Sequence, residues 1–305
     1  MLNLVVEQSI NGLQLGVMLF LLAAGLTLIF GIMGVINIAH GSLYMVGAFL
    51  TAATLAKTGS FILAALAGLA SAALVGVLME LGVMRRLYAR DHLDQVLATF
   101  GLSLCMNELF AIIFGQRPLY VEIPPLLSGS IELVPGVPYP IYRIAIIVIG
   151  LAVAAGLYAL INHTRIGMLV RAGSTHREIV RALGVDIRLL YTAVFGLGAL
   201  LAGLAGMMAG PVYTVQVGMG EQILIMTFVV VVIGGLGSVR GAFVAAMLVG
   251  LIDTALRALV PPWLKTFMEA SAADALGSGL SSLGIYLLMA LVLLIKPKGL
   301  LPAHG

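Results

Sequence analysis

The stretch LGVMLFLLAAGLTLIFGIMGVI, Leu15 to Ile36, is apolar throughout except for the hydroxyl of Thr27. As a helix it would be about 33 Å long at about 1.5 Å per residue, enough to cross a hydrocarbon core of about 30 Å. It reads as a membrane span. Directly after it, Asn37, His40, Ser42 and Tyr44 arrive together among glycines at 31, 34, 41 and 47. A polar cluster punctuated by glycine, placed against a full apolar span, is either a tight turn in water or a helix break inside the protein.

The rest of the chain agrees with a lipid environment. Its 305 residues are 61% hydrophobic and 10% charged, with a mean hydropathy of +1.15. A soluble domain carries about 25% charged residues, so there is too little polar surface here to coat a water-facing globule. The apolar runs are continuous and lack the two-residue alternation of a barrel strand. A helix satisfies its backbone within each segment, as lipid requires. The expected fold is therefore all-α, a polytopic helical bundle of eight to ten spans, with segments near 9–31, 40–56, 61–84, 94–115, 143–161, 189–210, 222–235, 241–260 and 280–295. Glu7 and the length of the first run argue against a cleaved signal. The lone Cys105 excludes an internal disulfide.

Loop charge orients the bundle. Arg85, Arg86 and Arg90, then Arg165, Arg171, Arg177, Arg181 and Arg188, then Arg240, Lys296 and Lys298 all fall in segments that would share one side. The other side holds Lys57, Arg117, Arg143, Arg257 and Lys265 and collects Glu7, Glu122, Glu132, Glu221, Glu269 and Asp274. The positive-inside rule makes the arginine-rich side cytoplasmic, with the C-terminus on it. The basic residues thus have a membrane explanation, and the net charge of +3 implies no nucleic-acid partner. The proline-rich segment 116–140 reads as an ordered external loop. No segment is long enough for a separate soluble domain, so 1–305 is expected to be one transmembrane domain.

No catalytic or metal-binding pattern emerges. There is no G-x-x-x-x-G-K-[ST], no H-E-x-x-H and no G-x-S-x-G. No cofactor is expected on this chain, and if it serves in transport that needs ATP and Mg, other polypeptides supply them. Span 189–210 carries Gly198, Ala202, Gly206 and Gly210 at every fourth position, a flat face for close helix approach within the bundle or between subunits.

The loop 162–188 has its own architecture. Ser174 or Thr175 is placed to N-cap a short helix, Glu178 suits its first turn, and Gly184 suits its end. Arg177 and Arg181 lie on one face, Ile179, Ala182 and Leu183 on another. Such a helix either lies on anionic headgroups or seats in a groove of a cytoplasmic motor subunit. The six-residue spacing of Glu178 and Gly184 matches E-A-A-x-x-x-G, the signature of ATP-driven importer permeases, although Ile179 and Val180 replace its alanines.

Four segments occur in order: FGIMGVINIAHGSLYMVGAF (30–49), the arginine loop with ALG at 182–184, VVVVIGGLGSVRGAFVAAMLVG (229–250) and KPKGLL (296–301). Together they resemble the permease family of branched-chain amino acid ABC importers, the LivH-type subunit, over essentially the whole chain. The resemblance implies a bacterial inner-membrane protein that moves branched-chain or other hydrophobic amino acids by alternating access. It implies a LivM-type second permease, LivG- and LivF-type ATP-binding subunits and a periplasmic substrate-binding protein. Coupling to the ATPase would then fall to Arg171, Glu178, Arg181, Ala182, Leu183 and Gly184. Related permeases vary in cargo, so urea, short amides and aromatic acids remain alternatives. A stand-alone secondary transporter would need an intramembrane ionisable residue such as Glu108 or Asp253.

Residues 31–47 and 234–250 share a pattern of G-x-x-G, a polar residue, another glycine and a small-residue helix. Interrupted helices in paired repeats often meet at a transported substrate. On this reading Asn37, His40, Gly41, Ser42 and Tyr44 line the path, with Gly234, Gly235, Gly237 and Gly241 forming the second break. Asn107 and Glu108, polar within a span, are further path candidates. Asp253 and Arg257 are spaced for an i, i+4 pair.

Overall fold

The structure is a computed structural model, and it describes residues 2–134, 136–175, 177–182 and 184–302. Among these, seven helices are long and apolar enough to cross a membrane. They are α1 (Leu2–Met33), α3 (Phe61–Met79) with its continuation, α5 (His92–Phe114), α6 (Ile141–His163), α9 (Ile187–Ala209), α11 (Val239–Leu264) and α12 (Ala270–Ile295). Two more apolar helices, α2 (His40–Thr58) and α10 (Met219–Gly234), pack among them. Every expected span is thus a helix, and the bundle is all-α and multi-pass.

Helix α1 is the hub. In its most apolar stretch 83% of residues are buried, against 17% in α5, α6 and α12, whose outer faces are left to lipid or neighbours. Glycines bring its partners close. A Cβ on Gly16 would stand 2.9 Å from the Ala246 carbonyl oxygen of α11, and one on Gly198 would stand 3.0 Å from the Gly25 carbonyl oxygen of α1. The stripe on α9 is consequently a packing face inside the bundle. Ala202 is fully buried and Gly206 lies against the backbone of Tyr44. We expect Gly206→Val, whose side chain would overlap the Tyr44 carbonyl, to destabilise the chain by about 1–3 kcal/mol. Thermal unfolding in detergent should show it, and an unchanged transition would contradict this packing.

Two ends can be told apart. At the hairpin end, β1 (Ser130–Val134) pairs antiparallel with β2 (Val137–Pro140), and an isolated bridge joins Leu119 to Val215. Asn11 of α1 accepts hydrogen bonds from Tyr139 Oη (2.9 Å) and Arg143 Nη1 (2.6 Å) there. At the arginine-rich end, α3 passes through a π-helical turn (Glu80–Met84) into α4 (Arg85–Leu87). The turn places Glu80, fully buried, against Arg85 Nε (3.0 Å), Tyr88 Oη (2.9 Å) and Thr192 Oγ1 (2.7 Å), tying α3 to α9. Burial and the Glu80 carboxylate push the Tyr88 phenol up, so it stays a donor.

Three expectations need correction. Helix α12 starts at Ala270, ten residues before the expected 280. Its small polar residues look like a loop but pack: Ser281 Oγ donates to the Leu256 carbonyl at 3.0 Å, and Gly277 lies against Pro261. The arginine loop is also more helical than expected, with α7 (Arg165–Thr175) ahead of α8 (Arg177–Ala182). Ser174 lies in the last turn of α7, its Oγ donating to the Arg171 carbonyl at 2.8 Å. Finally, Glu221 belongs to the first turn of α10 and not to an outer loop.

Candidate functional site

Helix α1 stops at Met33 because Gly34 adopts φ +67°, open to glycine and strained for other residues. Residues 34–39 then run back into the bundle. His40 Nε2, the first residue of α2, donates to the carbonyl of Leu22 at 3.2 Å. Leu22 lies eleven residues before the end of α1, a depth of about 16 Å at about 1.5 Å per residue. The Ile38 N–H donates to Thr99 Oγ1 of α5 at 3.2 Å. Asn37 and His40 are fully buried. The stretch is a break enclosed by the bundle, and among membrane spans non-helical backbone is permitted only where protein or a cavity surrounds it.

The break carries unsatisfied polarity. Both amide atoms of Asn37 and Nδ1 of His40 are buried without a hydrogen-bond partner among the described residues. Such groups destabilise a fold by about 1–3 kcal/mol each and are rare without a reason. No side chain caps α2. Gly41 lets the backbone of Gly220 approach at the start of α10, so two helices begin beside each other here.

A polar chain extends from this point across three helices. Ser42 and Ser103 Oγ atoms are 3.2 Å apart, Ser103 Oγ donates to Glu221 Oε1 at 3.2 Å, and Asn107 Nδ2 donates to the same oxygen at 2.7 Å. Tyr44, one turn beyond His40, is buried. The structure thus gathers Asn37, His40, Gly41, Ser42, Tyr44 and Asn107, and adds Ser103 and Glu221. Glu108 is not among them. One residue further along a helix is a rotation of about 100°, so Asn107 turns inward while Glu108 is exposed on the outer face.

The second glycine break sits elsewhere. Gly235 and Gly237 have φ of +103° and +81° and turn α10 into α11 at the arginine-rich end. The carboxy-terminal segment seals them, with the Leu300 and Leu301 N–H groups donating to the carbonyls of Ile233 (2.8 Å) and Gly234 (3.1 Å). Gly234 and Gly241 meet backbone to backbone beneath this turn. A Cβ on Gly31 would stand 3.3 Å from Gly237 Cα, so the two motifs adjoin, but only the first re-enters. Beside the turn a cleft of about 830 Å³ opens between α1, α6, α7 and α11, with the buried, unpartnered Thr27 hydroxyl among its lining residues.

The arginine loop presents the remaining candidates. Val180 is buried, whereas Arg181, Ala182 and Gly184 are exposed. Gly184 adopts φ +86°, the left-handed stop anticipated for α8. Arg171 donates to the Ile161 carbonyl, holding α7 against the end of α6. Glu178 lies within α8; Leu183 lies outside the described residues.

A family model described as "Branched-chain amino acid transport system / permease component" matches residues 9–271. The high-affinity branched-chain amino acid transport system permease protein BraD of Pseudomonas aeruginosa is 30% identical over 97% of this chain and 95% of its own length. The corresponding LivH protein of Escherichia coli K12 is 27% identical over 97% and 94%. The ribose import permease protein RbsC of the same organism is 24% identical over 84% and 77%. No solved structure matches the chain.

Proposed function

The chain belongs to the permease family of branched-chain amino acid transport systems, and on that premise we propose that it is the LivH-type subunit of an ATP-driven importer. It is a transport component and catalyses no covalent step itself. Its cargo is a branched-chain or other hydrophobic amino acid, moved by alternating access across a bacterial inner membrane. The observation that supports this reading is the break at Gly34–Ala39, a polar, incompletely bonded element buried inside the bundle. ATP and Mg²⁺ would be handled by LivG- and LivF-type subunits docked at the arginine-rich end. A LivM-type permease would complete the membrane unit, and a periplasmic binding protein would deliver cargo at the hairpin end. The likeness to a ribose permease keeps other small polar cargoes as the second reading.

Copurification of the complex from its host, followed by uptake of radiolabelled leucine into proteoliposomes, tests the proposal. ATP- and binding-protein-dependent leucine uptake is expected; a complex that hydrolyses ATP in response to a sugar or amide and ignores leucine would replace the cargo. The orientation is testable separately. In a Cys105→Ser background, Ser128→Cys, exposed near the hairpin, should react with impermeant maleimide on intact cells, and Ser174→Cys should not. Reaction at 174 from outside would invert the topology.

A further inference from the structure

A second cavity, of about 690 Å³, lies at the hairpin end between α1, α6, α10 and α11. Its volume suits a small organic ligand. Its residues come from five separate stretches of chain, so only the packed helices bring them together. Its chemistry is divided. Leu15, Met219, Ile223 and Met226 supply an apolar side, while Arg143, Arg257 and Asp253 supply charge. Tyr44 also lines it, so the cavity reaches the second turn of α2, one turn beyond the break.

Asp253 is the informative group. It is 3% exposed, and Oδ2 accepts from Arg257 Nε at 2.9 Å. Oδ1 is buried and has no partner among the described residues. A carboxylate oxygen left bare in a low-dielectric wall is costly unless a cation or donor meets it. Arg143 spends one guanidinium nitrogen on Asn11 and has further donors. Arg257 is half exposed at the cavity wall. Tyr213, on the loop before α10, also lines the cavity, and its phenol is a donor beside these charges. Two guanidinium groups against one carboxylate leave the cavity with an excess positive charge.

We infer that this cavity is a binding site for a free α-amino acid with an aliphatic side chain, its ammonium group on Asp253 Oδ1, its carboxylate on Arg143 and Arg257, and its side chain against Met219, Ile223 and Met226. The excess positive charge matches the carboxylate, the bare oxygen matches the ammonium, and the methionine-rich wall accommodates side chains of varied shape. The cavity then receives cargo at the hairpin end and hands it to the break through Tyr44. This inference rests on the amino-acid reading of the cargo and adds to it a site within this one subunit.

The test is equilibrium binding of radiolabelled leucine to the purified complex in nanodiscs, without the binding protein, alongside uptake by the complete system. Saturable binding is expected, competed by isoleucine and valine but at least tenfold less well by 4-methylpentanoate, which lacks the ammonium, and by leucine methyl ester, which lacks the carboxylate. Asp253→Asn should weaken binding at least tenfold. Thr254→Trp, which fills the cavity without touching the ion pair, should do the same in a complex whose subunits still copurify. Competition by 4-methylpentanoate equal to that by leucine would remove the role of Asp253. Wild-type leucine uptake without saturable binding, or unaltered binding by Thr254→Trp, would overturn the site while leaving the cargo reading intact. Absence of both uptake and binding would overturn both.

Discussion

Ala182→Glu in α8 is expected to lower leucine uptake at least tenfold, either by releasing an ATP-hydrolysing subunit or by leaving hydrolysis uncoupled from movement. Val180 is buried against the bundle while Arg181 and Ala182 face outward, so the short helix is anchored on one side and offers the other. A small residue on an outward face suits close seating in a groove. A carboxylate placed there would be desolvated without a dedicated partner, at a cost of several kcal/mol, and each 1.4 kcal/mol is tenfold. Gly184→Val should act in the same direction, because φ +86° strains a β-branched residue and would misdirect the chain leaving α8. Copurified ATPase and uptake in proteoliposomes are the measurements. A helix resting on headgroups would tolerate the charge, so normal uptake by fully assembled Ala182→Glu would remove the coupling role.

Asn37→Leu and His40→Leu should separate folding from transport at the re-entrant break. Both amide atoms of Asn37 lack partners, so exchanging them for methyl groups of similar volume should leave the bundle as stable or more so. His40 gives up one hydrogen bond to the Leu22 carbonyl, worth about 1 kcal/mol. Assembly should therefore survive. Uptake should fall by an order of magnitude or more, since the loss of one polar contact of about 1.4 kcal/mol at the transport barrier already accounts for tenfold. Ser42→Cys, in the Cys105→Ser background, should label differently in nucleotide-free and ATP-trapped complexes. Wild-type uptake by both leucine variants together with state-independent labelling would reduce the break to a packing detail.

Much of this architecture is written locally. In lipid the backbone must satisfy itself within each helix, so the long apolar runs announced the spans directly. Gly184 marked the end of a helix because a left-handed φ needs only its own residue. The Asp253–Arg257 pair was readable because helix geometry puts i and i+4 together. Helix α7 and the start of α12 escaped because their small and polar residues owe their conformation to neighbours in space, not to local propensity.

The sequence by itself determined that this is a polytopic helical membrane protein with a glycine-flanked polar cluster after its first span and a basic, helical loop, because apolar length, charge and glycine act over a few residues. Only the tertiary structure decided how deep the break lies. That depth follows from His40 finding the carbonyl of Leu22, and no local rule selects that partner. Likewise Glu221 joined Ser103 across a separation of 118 residues, and Glu108, adjacent to Asn107, was turned away by the helical rotation between them. Asp253 kept one oxygen bare in a cavity assembled from distant segments. Helices are chosen residue by residue, but which polar atoms meet inside the bundle depends on how those helices pack.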